Sequence, residues 1–171
     1  GFPGPCKHPL ALGPVDQIDW LKKQQRFCFS RNGITDPLDL DDYLAHGGWR
    51  GLEQALRMES AGIVQCVIDS GLRGRGGAAF PSGIKWKTVL DQPPTQKYIV
   101  CNADEGDSGT FSDRMLMEGD PYRLIEGMLI AGIAVGADRG TVYLRSEYPV
   151  ARRIISEAIK RASSAGWLGA D

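Results

Sequence analysis

The stretch Tyr98–Gly166, YIVCNADEGDSGTFSDRMLMEGDPYRLIEGMLIAGIAVGADRGTVYLRSEYPVARRIISEAIKRASSAG, decides the fold class. Tyr98-Ile99-Val100-Cys101 is a short apolar run of the kind found in buried parallel strands. Thr141-Val142-Tyr143-Leu144 reads as a second strand. Between them Asp120-Pro121 predicts a helix start, with an acid at the N-cap and proline in the first turn. Leu124, Ile125, Met128, Leu129, Ile133 and Val135 make that helix apolar almost all round, so it should be buried. Pro149 opens a last helix with Ile154, Ile155, Ala158, Ile159 and Ala162 facing inward. Its Arg152, Arg153, Lys160 and Arg161 face water, and Gly166 closes it. Strand, buried helix, strand and amphipathic helix predict a βαβ unit with a parallel sheet. Ligands of such sheets bind at the carboxyl ends of the strands. Two chemically distinctive loops, after Cys101 and around Arg145-Ser146-Glu147, lie at those ends.

Upstream, Leu52, Ala55 and Leu56 follow Gly47-Gly48 with helical spacing, and Ile63, Val64, Val67 and Ile68 repeat it. Gly71 is a natural end for that second helix, because glycine tolerates a left-handed backbone. Residues 1–50 are rich in proline, glycine and loop formers, with one charged helix candidate around Pro14–Phe27. They read as material draped over a domain. We therefore expect an N-terminal extension over 1–59 and the first part of the main domain over 60–171.

Two loops carry the candidate chemistry. GLRGRGGAAFPSGIKW, Gly71–Trp86, contains no acid and three cations, Arg73, Arg75 and Lys85. Glycines let a backbone approach a ligand closely, and consecutive N–H groups form an anion nest. Gly74–Ala79 matches the pattern G-x-G-x-x-A, yet it follows a helix rather than a strand, and no Walker Gly-Lys-Ser/Thr follows. A phosphate-binding loop and a flexible turn with solvated arginines both remain open. Phe80 and Trp86 bracket the loop, either to stack on a flat ring or to join the core. The second loop runs from Asn102 to Gly119 and gathers Asp104, Glu105 and Asp107. These carboxylates repel one another unless Arg114, the Gly-rich loop or a ligand's hydroxyls offset them. The alternative is a solvated acidic loop.

Composition narrows the class. Twenty basic and twenty-one acidic residues leave a net charge of −1 over 171 residues, which offers no general attraction for nucleic acid or an anionic membrane. The uncharged stretch Gly127–Ala137 is too short to span a bilayer, so no direct membrane insertion is expected. No signal peptide opens the sequence, and we expect a cytoplasmic protein. Cys6, Cys28, Cys66 and Cys101 are widely separated, and His8 and His46 stand outside any ligand-spaced cluster. We expect reduced thiols and no metal in this chain. Gly1 and the final AGWLGAD, Ala165–Asp171, lead us to expect a piece of something longer.

GLRGRGGAAFPSGIKW and CNADEGDSGTFSDR together resemble the signature of the flavin-bearing, NADH-oxidising subunit of respiratory complex I. The same module occurs in NAD-reducing hydrogenases and NAD-dependent formate dehydrogenases. HPLALGPVDQ and ITDPLDLDDYLAHGG look closest to the formate dehydrogenase beta subunit. The resemblance implies an α/β, Rossmann-like FMN-binding domain with a parallel sheet, preceded by a mainly helical and loop extension. Its cofactors are FMN and NAD(H), with hydride passing between them and single electrons passing to or from iron–sulfur clusters. A 4Fe-4S cluster is expected in the full-length subunit but not in this chain. Its partners are the iron–sulfur and catalytic subunits of a multi-subunit oxidoreductase.

Carried over by position, Gly74, Arg75, Gly76 and Gly77 approach flavin and nucleotide through backbone. Phe80 stacks on the adenine, and Lys85 contacts both ligands. Asn102 and Asp104 bond FMN, and Asp107 holds the nicotinamide side. No side chain is needed as nucleophile or general base. Ala79 and Asp107 stand where complex I members usually carry glycine and glutamate. Thr88 replaces an aromatic that often completes the adenine sandwich. A non-catalytic nucleotide-binding or assembly module of the same fold is the rival reading, and a plain α/β interaction domain a third.

Overall fold

The computed structural model describes residues 8–14 and 17–169. Cys6 and the terminal Ala170-Asp171 lie outside them. The chain separates into two units, 1–30 and 31–171. In the first unit the described residues form turns rather than the helix expected over Pro14–Phe27, two of whose residues, 15 and 16, are not described. Gln17 N–H donates to the Pro14 carbonyl and those of Leu21 and Lys22 to Ile18, without a continuing ladder. Trp20 and Phe27 are 79% and 84% exposed, so no buried face offsets the cost of helix nucleation.

The second unit runs α1 (Leu40–Ala45), α2 (Arg50–Ala55), α3 (Ser60–Asp69), α4 (Ser82–Leu90), β1 (Tyr98–Ala103), α5 (Ser112–Gly119), α6 (Pro121–Val135), β2 (Arg139–Leu144) and α7 (Pro149–Ser164). The expected strand–helix–strand–helix order is present. Strands β1 and β2 pair in parallel, from Tyr98 opposite Arg139 to Ala103 opposite Leu144, so their carboxyl ends lie side by side. Ile99, Cys101, Ala103, Val142 and Leu144 pack inward. Tyr98, Val100 and Tyr143 are more than half exposed. Residues 98–101 are thus buried on one face rather than on both.

Helix α6 is central. Ile125, Ala131, Ala134 and Val135 are buried in it, and Leu124, Met128, Leu129 and Ile133 are half-buried. Asp120 does not cap it as expected. Its carboxylate, 2% exposed, accepts from Arg31 at 2.9 and 3.2 Å. Glu126 accepts from the N–H groups of Trp49 and Leu52 at 3.0 Å and from the Tyr43 hydroxyl, so a side chain of α6 caps α2. Tyr43, Trp49 and Leu52 share one core with Tyr122, Ile125, Ala158 and Ala162. On α7, Ile159 is 38% exposed rather than inward.

Two helices stand where loops were expected. Helix α4 follows Pro81 and packs Trp86, Val89 and Leu90 beside Ile63 and Val64. It meets α3 at Gly83, where an added Cβ would lie 2.6 Å from the Ile68 amide nitrogen, so glycine permits the close crossing. Helix α5 fills the second half of the acidic loop. Lys97 Nζ reaches the carbonyls of Leu90 and Val135, tying the ends of α4 and α6 to the start of β1.

Candidate functional site

The Gly-rich segment is a loop with a closed neck. Arg73 and Pro81 form an isolated antiparallel bridge. Gly74 N–H donates to the Phe80 carbonyl at 2.8 Å and Ser82 N–H to that of Leu72 at 2.9 Å. Arg73 Nε donates to the Ala79 carbonyl at 2.6 Å, which engages one of the three expected cations in the neck itself. The tip is different. The N–H groups of Arg75, Gly76, Gly77 and Ala78 find no acceptor among the described residues. A Cβ added at Gly76 or Gly77 would meet nothing within 4 Å, so the backbone there is open to a ligand. Gly77 takes φ +102° and Ala79 φ +49°, turning successive amides as a nest requires.

Arg75 is exposed at this tip, and Phe80 is 53% exposed. Lys85 is exposed on the first turns of α4 rather than in the loop. Trp86 packs into the core and leaves Phe80 as the accessible aromatic.

Asn102 is the fifth residue of β1 and lies on its exposed face, next to the carboxyl end. Its Oδ1 accepts from the Asp104 N–H at 3.1 Å, which starts the turn out of the sheet. Asp104 and Asp107 are exposed, and their carboxylates make no hydrogen bond or ion pair with another described residue. Between them Glu105 is held at φ +44°, a strained conformation for a side chain of its size. Its carboxylate turns back onto the start of α5. There it accepts from the N–H groups of Asp113 and Arg114 at 2.7 and 3.0 Å and from the Ser112 hydroxyl at 3.2 Å. Partial burial pushes this carboxyl up, but the N–H donors of Asp113 and Arg114 outweigh it and hold it below the usual range. Asp113 moves the other way, raised by burial and by the Glu105 charge.

The segment after β2 closes over this loop. Arg145 Nη1 donates to the Glu105 carbonyl at 2.6 Å, and the same guanidinium forks onto Glu147 at 3.3 and 3.2 Å. That fork holds the Glu147 carboxyl down at about 2. The guanidiniums of Arg145 and Arg114 lie over the Tyr148 ring, 5.1 and 5.6 Å from its centre, and its hydroxyl reaches the Thr110 carbonyl at 3.4 Å.

Asn102 and Asp104 are thus brought together at one strand end, with Asp107 further along the same loop. Gly74, Arg75, Gly76, Gly77 and Phe80 are gathered in the other loop. No hydrogen bond or ion pair joins the two groups among the described residues. Tyr148 was not singled out from the sequence, and Glu105 and Arg145 were noted only as members of the acidic loop and of the Arg145-Ser146-Glu147 loop, without these roles. The donors and acceptors of each loop suit a phosphate-bearing ligand: unpaired amides and Arg75 in the Gly-rich loop, uncommitted carboxylates for hydroxyls or ring nitrogens in the acidic loop. Among the described residues no group of three or more His, Cys, Asp or Glu is placed to hold a metal. No helix among them is long and apolar enough to cross a membrane.

Comparison with known proteins adds a family. The sequence profile of the Nuo51 FMN-binding domain matches residues 67–169. The HndC subunit of the NADP-reducing hydrogenase of Solidesulfovibrio fructosivorans is 51% identical over 148 residues, 86% of this chain and 30% of that one. An NADH-quinone oxidoreductase subunit of Escherichia coli K12 is 44% identical over 135 residues, 78% of this chain and 30% of that one. The crystal structure of an air-oxidized NAD+-reducing [NiFe]-hydrogenase superposes with a TM-score of 0.65 at 33% identity, over 85% of this chain and 24% of that chain. The chain spans about 30% of the length of these curated relatives.

Proposed function

The chain belongs to the Nuo51 FMN-binding domain family, and on that footing we propose that it builds part of an FMN and NAD(H) site in a diaphorase-type oxidoreductase subunit. The observation that carries this reading is the open tip of the Gly-rich loop, four unpaired amides in a positively charged setting. Gly74, Arg75, Gly76 and Gly77 approach flavin and nucleotide through backbone, and the amides left to bind phosphate are those of Arg75, Gly76, Gly77 and Ala78, the Gly74 N–H being spent on the Phe80 carbonyl. Phe80 offers its exposed ring to the adenine, and Lys85 brings positive charge to flavin and nucleotide from the start of α4. Asn102 and Asp104 hydrogen-bond FMN, and Asp107 orients the nicotinamide end. FMN, when bound, supplies the exchange between hydride and single electrons. The residues of this chain bind and orient; none acts as nucleophile or general base.

In this reading the subunit works in the cytoplasm with iron–sulfur and catalytic subunits, and carries a 4Fe-4S cluster outside residues 1–171. HPLALGPVDQ and ITDPLDLDDYLAHGG support the finer assignment to an NAD-dependent formate dehydrogenase. Copurification with a molybdenum or tungsten subunit supports that assignment, and a nickel subunit replaces it with a hydrogenase. The test of the reading itself is the visible spectrum of the full-length protein. Bound flavin absorbs near ~450 nm. Colourless protein reconstituted with FMN overturns it and leaves a nucleotide-binding module without redox chemistry.

A further inference from the structure

We propose that Arg145 and Tyr148 are positioning residues that clamp the acidic loop on both sides of Asp107, and so set where the dinucleotide is held. The inference rests on the proposed function for its ligand, and on geometry for the clamp. The loop leaves β1 at Ala103 and regains regular structure only at Ser112. Glu105, caught from the side by α5, cannot by itself fix the residues after it. Arg145 donates to the Glu105 carbonyl, before Asp107, at 2.6 Å, and Tyr148 makes a longer, weaker bond of 3.4 Å to the Thr110 carbonyl, after it. Both donors come from one four-residue segment at the carboxyl end of the neighbouring strand.

The clamp residues are themselves held by neighbours. The guanidinium of Arg145 is oriented by its two bonds to Glu147 and by the face of Tyr148. Tyr148 is 7% exposed and packed with Ala103, Met117, Ala151 and Ile155. The positive charge of Arg145 also acts on Asp104. A crevice at strand ends binds well only when both of its loops keep one register, within a fraction of an ångström. Linking the loop after β1 to the segment after β2 achieves this without either donor touching the ligand.

The experiment uses the full-length subunit in its complex, as wild type and as Tyr148→Phe, Arg145→Ala and Arg145→Lys. Flavin bound to the wild type is measured first; its absence breaks the functional reading, not the clamp. Amide hydrogen exchange over residues 104–110 and the steady-state constants for NADH are then compared. The net worth of one or two hydrogen bonds predicts exchange and KM raised about threefold in Tyr148→Phe and about tenfold in Arg145→Ala. The kcat per bound flavin stays within about twofold. Arg145→Lys retains one donor and recovers part of the loss. Should Arg145→Ala fail to assemble, Tyr148→Phe decides, because it removes a single oxygen. Unchanged KM for NADH in the flavin-loaded variants overturns the proposal.

Discussion

Residues 75–78 hang from a bonded neck and leave their amides unpaired, whereas residues 104–111 are stitched to α5 and to the segment after β2. The two loops differ because they offer different groups. A backbone nest binds an anion only if its N–H groups are unspent, so its order has to come from the neck: the Arg73–Pro81 bridge and the Arg73 bond to Ala79. Carboxylates offered to a neutral or polar ligand repel each other, so their loop has to be braced by donors that are not themselves ligands. Openness at the tip of one loop and strain at Glu105 in the other follow from the same requirement.

Variants that break this contrast rank by how deeply the brace is buried. Asp120→Ala, at the junction beneath α5, leaves Arg31 with an unpaired charge, its side chain 11% exposed. The expected loss is about 3–5 kcal/mol, read as a Tm lower by roughly 10 °C in thermal melts of this chain. Glu105→Gln weakens the cap of α5 and costs about 1–2 kcal/mol at pH 7 by urea titration. The folded-state carboxyl titrates below its unfolded value, so its contribution is present above the unfolded pKa, about 4.3, and is lost as pH falls through the folded one. The gap between wild type and variant should therefore narrow as pH falls below the unfolded value, and a gap that widens in acid contradicts the cap. In the other loop effects are smaller. Gly77→Ala forces a side chain into φ +102° and costs about 1 kcal/mol. Gly76→Ala meets open space and shifts stability by less than about 0.5 kcal/mol.

The same contrast explains what could be read from the sequence. Strands β1 and β2 and helices α6 and α7 announce themselves by local pattern: apolar runs, Asp120-Pro121 and Pro149, and inward positions such as Ile155 and Ala158. The amides of the Gly-rich loop are legible because glycine itself is the signal. Helix α5 is not, because its apolar residues Met115, Leu116 and Met117 are consecutive, and its cap comes from Glu105, seven residues before Ser112. Helix α4 hides for a related reason. Pro81 gives it no side-chain cap bond, and only Trp86, Val89 and Leu90 mark its buried side. The Pro14–Phe27 helix fails in the opposite way, since spacing alone cannot supply a surface for Trp20 to pack on. Asp120 looked like a helix cap until Arg31, 89 residues away in sequence, claimed its carboxylate.

The central claim is that the open amides of the Gly-rich loop hold the cofactor. Gly76→Val in the full-length subunit tests it most directly, by FMN affinity measured alongside the Tm of the FMN-free protein. A valine side chain closes the space over amides that each contribute a charge-assisted bond, so FMN affinity falls about a hundredfold while the Tm stays unchanged. Unaltered FMN affinity in that variant contradicts the account.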